Sequence, residues 1–438
     1  MNQTPVSRLQ DRVRAVGRSR FVRDVATVAT GIAAAQAISM AFMPFLTRLY
    51  DPQAFGELAA FGAVVGIITP LATLGYANAI VMPETEEDAT AVARLSLLCA
   101  AVIAPITLLM VFLFQSQLAR WTGLEAAPGF LYLIPVTLLL SALLSVANQT
   151  AIREGLFRAK AGSYVGSKLL DNVSKLLGGV IAPSGLMLIV LLLVSELVNY
   201  LMLLRLVPRK GAFLVRRWFG TRHIRKAARE QRDFALYRMP QSVINTAAMG
   251  LPVILLTSFF GTSTAGQYSL TLLVLGAPVM LLGQSVGEVF YPKITRAILD
   301  GTEDAKALLT KATLVLFLLA VPLFGFVIIT GPYLFQFVFG SEWLSAGRYA
   351  QWIGLWSIGM LACGPSVQAF PALNLQHYLL AQEILSIIFR IVALYVGFSY
   401  FQSDLIAIAL FSLVGVVLTA AFCIIAFISI DRRHARSS

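Results

Sequence analysis

The stretch Thr47-Arg48-Leu49-Tyr50-Asp51-Pro52-Gln53-Ala54-Phe55-Gly56 separates two long apolar runs, and its reading decides the fold. The run before it, residues 25 to 49, and the run after it, 55 to 82, each supply the ~20 apolar residues a helix needs to cross ~30 Å of hydrocarbon. Between them, Asp51 offers the acceptor side chain of a helix N-cap, and Pro52 the fixed φ of a first helical position. The chain therefore ends one helix and starts the next within a few residues, which predicts a hairpin of two membrane-crossing helices.

Working outward, the same criterion predicts twelve spans. The others are 92 to 118, 129 to 150, 162 to 182, 185 to 206, 238 to 260, 266 to 291, 309 to 331, 347 to 371, 378 to 401 and 404 to 430. Composition agrees: 58% of the 438 residues are hydrophobic and only 13% charged, with a mean hydropathy of +0.78. A soluble protein could not bury so much apolar side chain, so the expected class is all-α integral membrane. The formal charge of +12 would otherwise suggest nucleic acid. Here Lys and Arg gather on alternate loops, leaving only Arg48, Arg120 and Arg348 on the opposite side, so nucleic acid is not an expected partner. That asymmetry predicts both termini in the cytoplasm. Residues 1–24 are basic and lack an apolar core, which argues against a cleaved signal.

Proline spacing suggests an internal repeat. Pro44 and Pro252 lie 208 residues apart, as do Pro70 and Pro278, and Phe55-Gly56-Glu57-Leu58 aligns with Ala265-Gly266-Gln267-Tyr268. Six spans per half is even, so the halves share one orientation, with a substrate path expected between them. The expected units are a basic cytoplasmic N-terminus (1–24), a first six-helix bundle (25–206), a basic cytoplasmic linker (207–237), a second bundle (238–430) and a cytoplasmic tail (431–438). The linker reads equally as a surface segment gathering anionic lipid or as a plain loop obeying the orientation rule. The acidic run Pro83-Glu84-Thr85-Glu86-Glu87-Asp88 is either a partner for a basic segment or a solvated helix start.

Charges inside spans are expensive and point to function or pairing. Lys168, Asp171 and Lys175 recur at i, i+3 and i+7, one helical face, so Asp171 can pair with one lysine and leave the other available. Arg390, seven residues after Glu383, repeats that spacing, and an ion pair between helices is the alternative to a ligand role. Gln241 and Asn245 form a polar face, as do Gln284 and Glu288. Either can contact sugar hydroxyls or join helices. Arg48 lies near an interface. The substrate-binding candidates are thus Lys168, Asp171, Lys175, Arg390, Gln241, Asn245 and Arg48. Glu196, Glu288 and Glu383 are candidates for carrying a coupling ion, H⁺ or Na⁺. Glycine-rich phosphate loops, HExxH and CxxC are missing from the sequence, so neither catalysis nor a cofactor is expected. Cys99, Cys363 and Cys423 sit in apolar runs and read as buried thiols.

From Ala29 to Pro83, with the decapeptide quoted above and Ile80-Val81-Met82-Pro83-Glu84 at its end, the chain resembles Wzx-type oligosaccharide flippases. Those belong to the multidrug/oligosaccharidyl-lipid/polysaccharide exporter (MOP) superfamily. The resemblance implies a MATE-like fold in a bacterial inner membrane, with a cationic central cavity. It also implies export of an undecaprenyl-pyrophosphate-linked oligosaccharide, for O-antigen or another polysaccharide, and contact with a polysaccharide polymerase complex. Two other readings stay open: a multidrug extruder of the same superfamily, and a membrane glycan polymerase or ligase. The first would favour unpaired intramembrane carboxylates. The second would carry a large outer loop, which this sequence lacks.

Overall fold

A computed structural model describes residues 20–122, 124–125, 128–207, 215–300, 304–373 and 375–437. Among these the chain is helical, with no strand. Helices α1 (Arg20–Leu49) and α2 (Pro52–Ala72) make the expected hairpin: Asp51 Oδ1 accepts a 2.8 Å hydrogen bond from the Ala54 amide, and Pro52 opens the helix. Then come α3 (Glu86–Thr122), α4 (Ile134–Arg153), α5 (Phe157–Ile181) and α6 (Gly185–Leu206). The short α7 (Ile224–Glu230) precedes α8 (Met239–Phe260), α9 (Thr262–Asp300), α10 (Ala305–Phe339), α11 (Leu344–Ala369), α12 (Gln376–Ser399) and α13 (Asp404–Ser437).

Ten stretches among the described residues are helical, long and apolar enough to cross a membrane, so the chain is a multi-pass membrane protein. Two further helices fall at expected spans but are more polar. α5 carries Lys168, Asp171 and Lys175, and α11 has Arg348, Gln351 and Gln368 among several glycines. The second span, expected to reach residue 82, is shorter. α2 stops at Ala72 because Leu74 (φ 48°) and Gly75 (φ 74°) adopt left-handed backbone, and the chain resumes as a 3-10 turn, Tyr76–Val81. A Cβ on Gly75 would sit 2.9 Å from the Phe234 carbonyl oxygen, so the close approach there also requires glycine. In contrast α9, at 39 residues, outruns the expected 266–291. At 1.5 Å per residue it is about 58 Å long and extends past the bilayer core.

Helix pairing is repeated along the chain. α1 packs on α5, α2 on α4, α3 on α4, α4 on α6 and α5 on α6. The same partners recur as α8 on α12, α9 on α11, α10 on α11, α11 on α13 and α12 on α13. Between the two sets, α2 and α9 cross at Gly56 and Gly266. A Cβ on Gly56 would lie 1.7 Å from the Thr262 carbonyl oxygen, and one on Gly266 would lie 1.9 Å from that of Pro52. The crossing is reciprocal and joins the two segments whose sequences align. Around it Phe55 meets Trp343 edge to face at 5.2 Å. Trp343 Nε1 donates to the Thr47 carbonyl at 2.8 Å, and Gln267 Nε2 to the Glu342 carbonyl at 2.7 Å. These contacts seal one end of the bundle, here termed the Asp51 end.

At the other end the basic linker is fixed to the start of α3. Trp218 is 1% exposed. Arg217 pairs with Glu86 at 3.1 Å and Lys226 with Asp88 at 2.7 Å, while Arg94 Nε donates to the Arg217 carbonyl at 2.7 Å. The hydrogen bond to Asp88 holds the Lys226 ammonium above its ordinary pKa range. Both readings of the acidic run hold: it opens α3 with Glu84 and Glu87 exposed, and Glu86 and Asp88 are partners of the basic linker.

Candidate functional site

The break in α2 opens a polar cavity. Where the helix gives out at Thr73 it no longer fills the space between α4 and the start of α8, leaving a void of about 160 Å³. Thr69, Thr73, Asn78, Ser141 and Ser145 line it from one set of helices, and Arg238 and Ser242 from the other. The polar part of the wall is thus hydroxyls, one amide and one guanidinium, and Pro70, Gly75, Ala142 and Met239 complete it. Gln149 Nε2 donates to Asn78 Oδ1 at 2.9 Å, and Arg153 donates to the carbonyl oxygens of Ile80, Pro83, Glu84 and Thr85, which pins the 3-10 segment. Arg238 Nη1 donates to Gln241 Oε1 at 3.2 Å, bringing the expected Gln241 beside the cavity. Asn245 is exposed one turn further along α8.

Ser141 links this void to two other candidates. Its hydroxyl donates to Glu196 Oε2 at 3.1 Å, and Lys168 on α5 is close enough to Glu196 to interact electrostatically. Glu196 is therefore tied to the cavity wall through Ser141, and Gln241 through Arg238, while Arg238 alone of the charged residues lines the cavity itself.

The remaining candidates lie elsewhere. Lys175 is buried, and its ammonium contacts Asp171 Oδ2 at 2.8 Å, so the pair on this face is Asp171–Lys175 and the lysine left available is Lys168. Tyr50 donates to the Lys175 carbonyl at 2.9 Å, tying the pair to the α1–α2 turn. Asp171 Oδ1 and Asn199 Oδ1 are both buried acceptors with no hydrogen-bond donor among the described residues. Arg390 does not pair with Glu383, which is exposed: among the described residues no ion pair within 4 Å joins them. Its guanidinium instead lies 4.2 Å from the Trp356 ring centroid and 5.0 Å from that of Phe411, with Nε unpartnered. Arg48 belongs to the Asp51 end, where Nη2 donates to the Phe337 carbonyl at 3.2 Å. The Glu288 and Gln284 side chains lie outside the described residues. Glu57 is 8% exposed, with Gly185 against its carboxylate, so it does not reach out to solvent.

The cavity hydroxyls escaped sequence reasoning because single Ser and Thr residues in apolar helices are common helix glue. Arg238, at the edge of its span, reads in the sequence only as an interfacial charge. The available signal was Thr73-Leu74-Gly75-Tyr76-Ala77-Asn78, a polar, glycine-bearing interruption late in an apolar run.

Residues 45–348, well over half of the chain, match the family model described as polysaccharide biosynthesis protein. The chain belongs to that family. A relative is the succinoglycan biosynthesis transport protein ExoT of Rhizobium meliloti (strain 1021), 26% identical over 314 residues. The match takes in 69% of this chain and 59% of ExoT, so it spans well under two thirds of that relative's length. Among solved structures, an inward-facing multidrug resistance MATE family transporter of the MOP superfamily superposes with a TM-score of 0.69 at 16% identity, covering 94% of this chain and 96% of that one. The lipid II flippase MurJ in an inward closed conformation gives 0.66 at 12% identity, covering 92% and 89%. At these identities the likeness establishes the fold alone: this member of the family shares the helical architecture of those two structures.

Proposed function

We propose that this protein is a transporter, not an enzyme, and that it carries the head group of a lipid-linked oligosaccharide across the membrane by alternating access between residues 25–206 and 238–430. The observation that carries this reading is a polar cavity built by both sets of helices at one end, while the Asp51 end is shut by direct backbone contact. The excess of Lys and Arg in the linker and terminal sequences supports a cytoplasmic location for the linker end and for both termini. The chain then rests in a bacterial cytoplasmic membrane with its outer end shut and a small cavity towards the cytoplasmic end.

The chemistry fits a glycan joined to a lipid through pyrophosphate. Hydroxyls and Asn78 can replace the water bound to sugar hydroxyls, and Arg238 offers the planar fork suited to phosphate. Lys168, left unpaired by Asp171, adds a second cation. About 160 Å³ is below the ~300–1,000 Å³ of ordinary ligand sites, so a glycan enters only when the halves part at the linker end. The prenyl chain stays in lipid meanwhile. Glu196, hydrogen-bonded to a cavity serine, is placed to carry a coupling cation such as H⁺.

Depletion of the protein in its host, followed by leaflet-resolved analysis of lipid-linked glycans, tests the assignment. Build-up of pyrophosphate-linked oligosaccharide in the inner leaflet is expected, with rescue by the wild type and not by Arg238→Ala at equal expression. Accumulation of a cationic drug with no change in lipid-linked glycans would overturn it.

A further inference from the structure

The linker presents two faces. Trp218 and Ala227 are buried, and Arg217 and Lys226 are paired with the acids of α3. Turned the other way are Arg225 and Arg229, one turn apart on α7, and Arg232 just beyond it. With Lys226, Glu230 and Asp233 they border an open hollow of about 840 Å³. Among the described residues no acid comes within 4 Å of Arg225 or Arg229, and the carboxylate nearest Arg232 is that of Asp233 at 4.0 Å. Leu236 and Tyr237 follow at once, 61% and 72% exposed, in a π-helical turn that runs straight into the membrane-crossing α8.

Exposed guanidinium groups would be unremarkable alone. Here they stand beside an exposed leucine and an exposed tyrosine at the start of a candidate membrane span, and Arg225 and Arg229 lie on a helix held to α3 by the Lys226–Asp88 pair. Tyrosine favours the headgroup level of a membrane, and each arginine near an anionic leaflet strengthens attachment about fivefold at moderate salt. We propose that this outward face, Arg225, Arg229 and Arg232 with Leu236 and Tyr237, is a docking surface for the phosphate headgroups of anionic phospholipids in the leaflet at the linker end. The apolar side chains favour a lipid surface over a soluble polyanion, which would leave them in water. Since the linker is fixed to α3, docked lipid holds the first half of the molecule against that leaflet.

The test uses the full chain with Cys99, Cys363 and Cys423 replaced by serine, and a fluorophore on Tyr237→Cys, in phosphatidylcholine vesicles with or without phosphatidylglycerol. Bromine-labelled phosphatidylglycerol should quench the probe more strongly than the same fraction of bromine-labelled phosphatidylcholine. Arg225→Gln, Arg229→Gln and Arg232→Gln together should weaken the phosphatidylglycerol effect about a hundredfold. Because the triple variant can misfold, the salt dependence of quenching in the otherwise unaltered chain is an independent readout, and high salt should abolish it. Equal quenching by both lipids, or quenching indifferent to salt, overturns the proposal. So does protection of the probe by an added soluble protein or nucleic acid, with the same arginine dependence and no effect of phosphatidylglycerol.

Discussion

Replacing Gly56 by alanine puts a methyl group 1.7 Å from the Thr262 carbonyl oxygen, where ordinary Cβ contacts begin near 3.4 Å. Nothing local can yield: the obstacle is backbone, and the reciprocal site at Gly266 is obstructed by the Pro52 carbonyl in the same way. α2 and α9 must therefore separate by roughly 1.5 Å or more at the crossing. Overpacking of this kind costs ~1–3 kcal/mol, here charged only to the state in which the Asp51 end is closed, so the ratio of closed to open molecules should fall roughly 5- to 150-fold. The readout is labelling of Ala54→Cys by a membrane-impermeant maleimide, in the chain lacking its native cysteines. Ala54 is 3% exposed in the closed seam. Labelling should accelerate in Gly56→Ala and in Gly266→Ala, and remain slow in Gly62→Ala, where a Cβ meets nothing within 4 Å. Unchanged labelling in both crossing variants at normal expression would refute the view that this contact forms the seal.

Three further outcomes follow from the interior. Lys175→Met strands the Asp171 carboxylate and should lower stability by ~3–5 kcal/mol in detergent melts, whereas Lys175→Met with Asp171→Leu should recover most of the loss; equal melting of the single and double variants would show that the pair is not coupled. Trp356→Leu removes the ring face that holds the Arg390 guanidinium and should cost ~2 kcal/mol or more, with Arg390→Met partly restoring the Trp356→Leu chain, measured in the same melts. Gly75→Ala, at φ 74° and in contact with the Phe234 carbonyl, should cost ~1–2 kcal/mol from backbone conformation alone, while Gly276→Ala, with open space around it, should not fall below the wild type.

The α1–α2 hairpin was legible in the sequence because Asp51-Pro52 is a local signal: the cap needs only the amide three residues on. The repeat was legible too, and the Gly56–Gly266 crossing gives the alignment a physical basis. The end of α2 was not, since its left-handed break at Leu74 and Gly75 sits inside an apolar run that still averages as a span. Their places inside apolar spans mark Lys175 and Arg390 as charges in need of a partner, but not what each faces. Asp171 was in reach along its own helix, whereas Trp356 and Phe411 come from two other helices to stack on Arg390. The cavity was least legible, because Thr69, Ser141 and Ser242 lie far apart in sequence and have no signature until α2, α4 and α8 converge.

The way the linker is held has a mechanical consequence. With Trp218, Arg217 and Lys226 bound to α3, most of the connecting stretch travels with the first half as a fixed outrigger. Under the proposed alternating access, the covalent pivot between the halves would be the short run from Gln231 to Arg238, which includes a wide π-helical turn able to take up rotation.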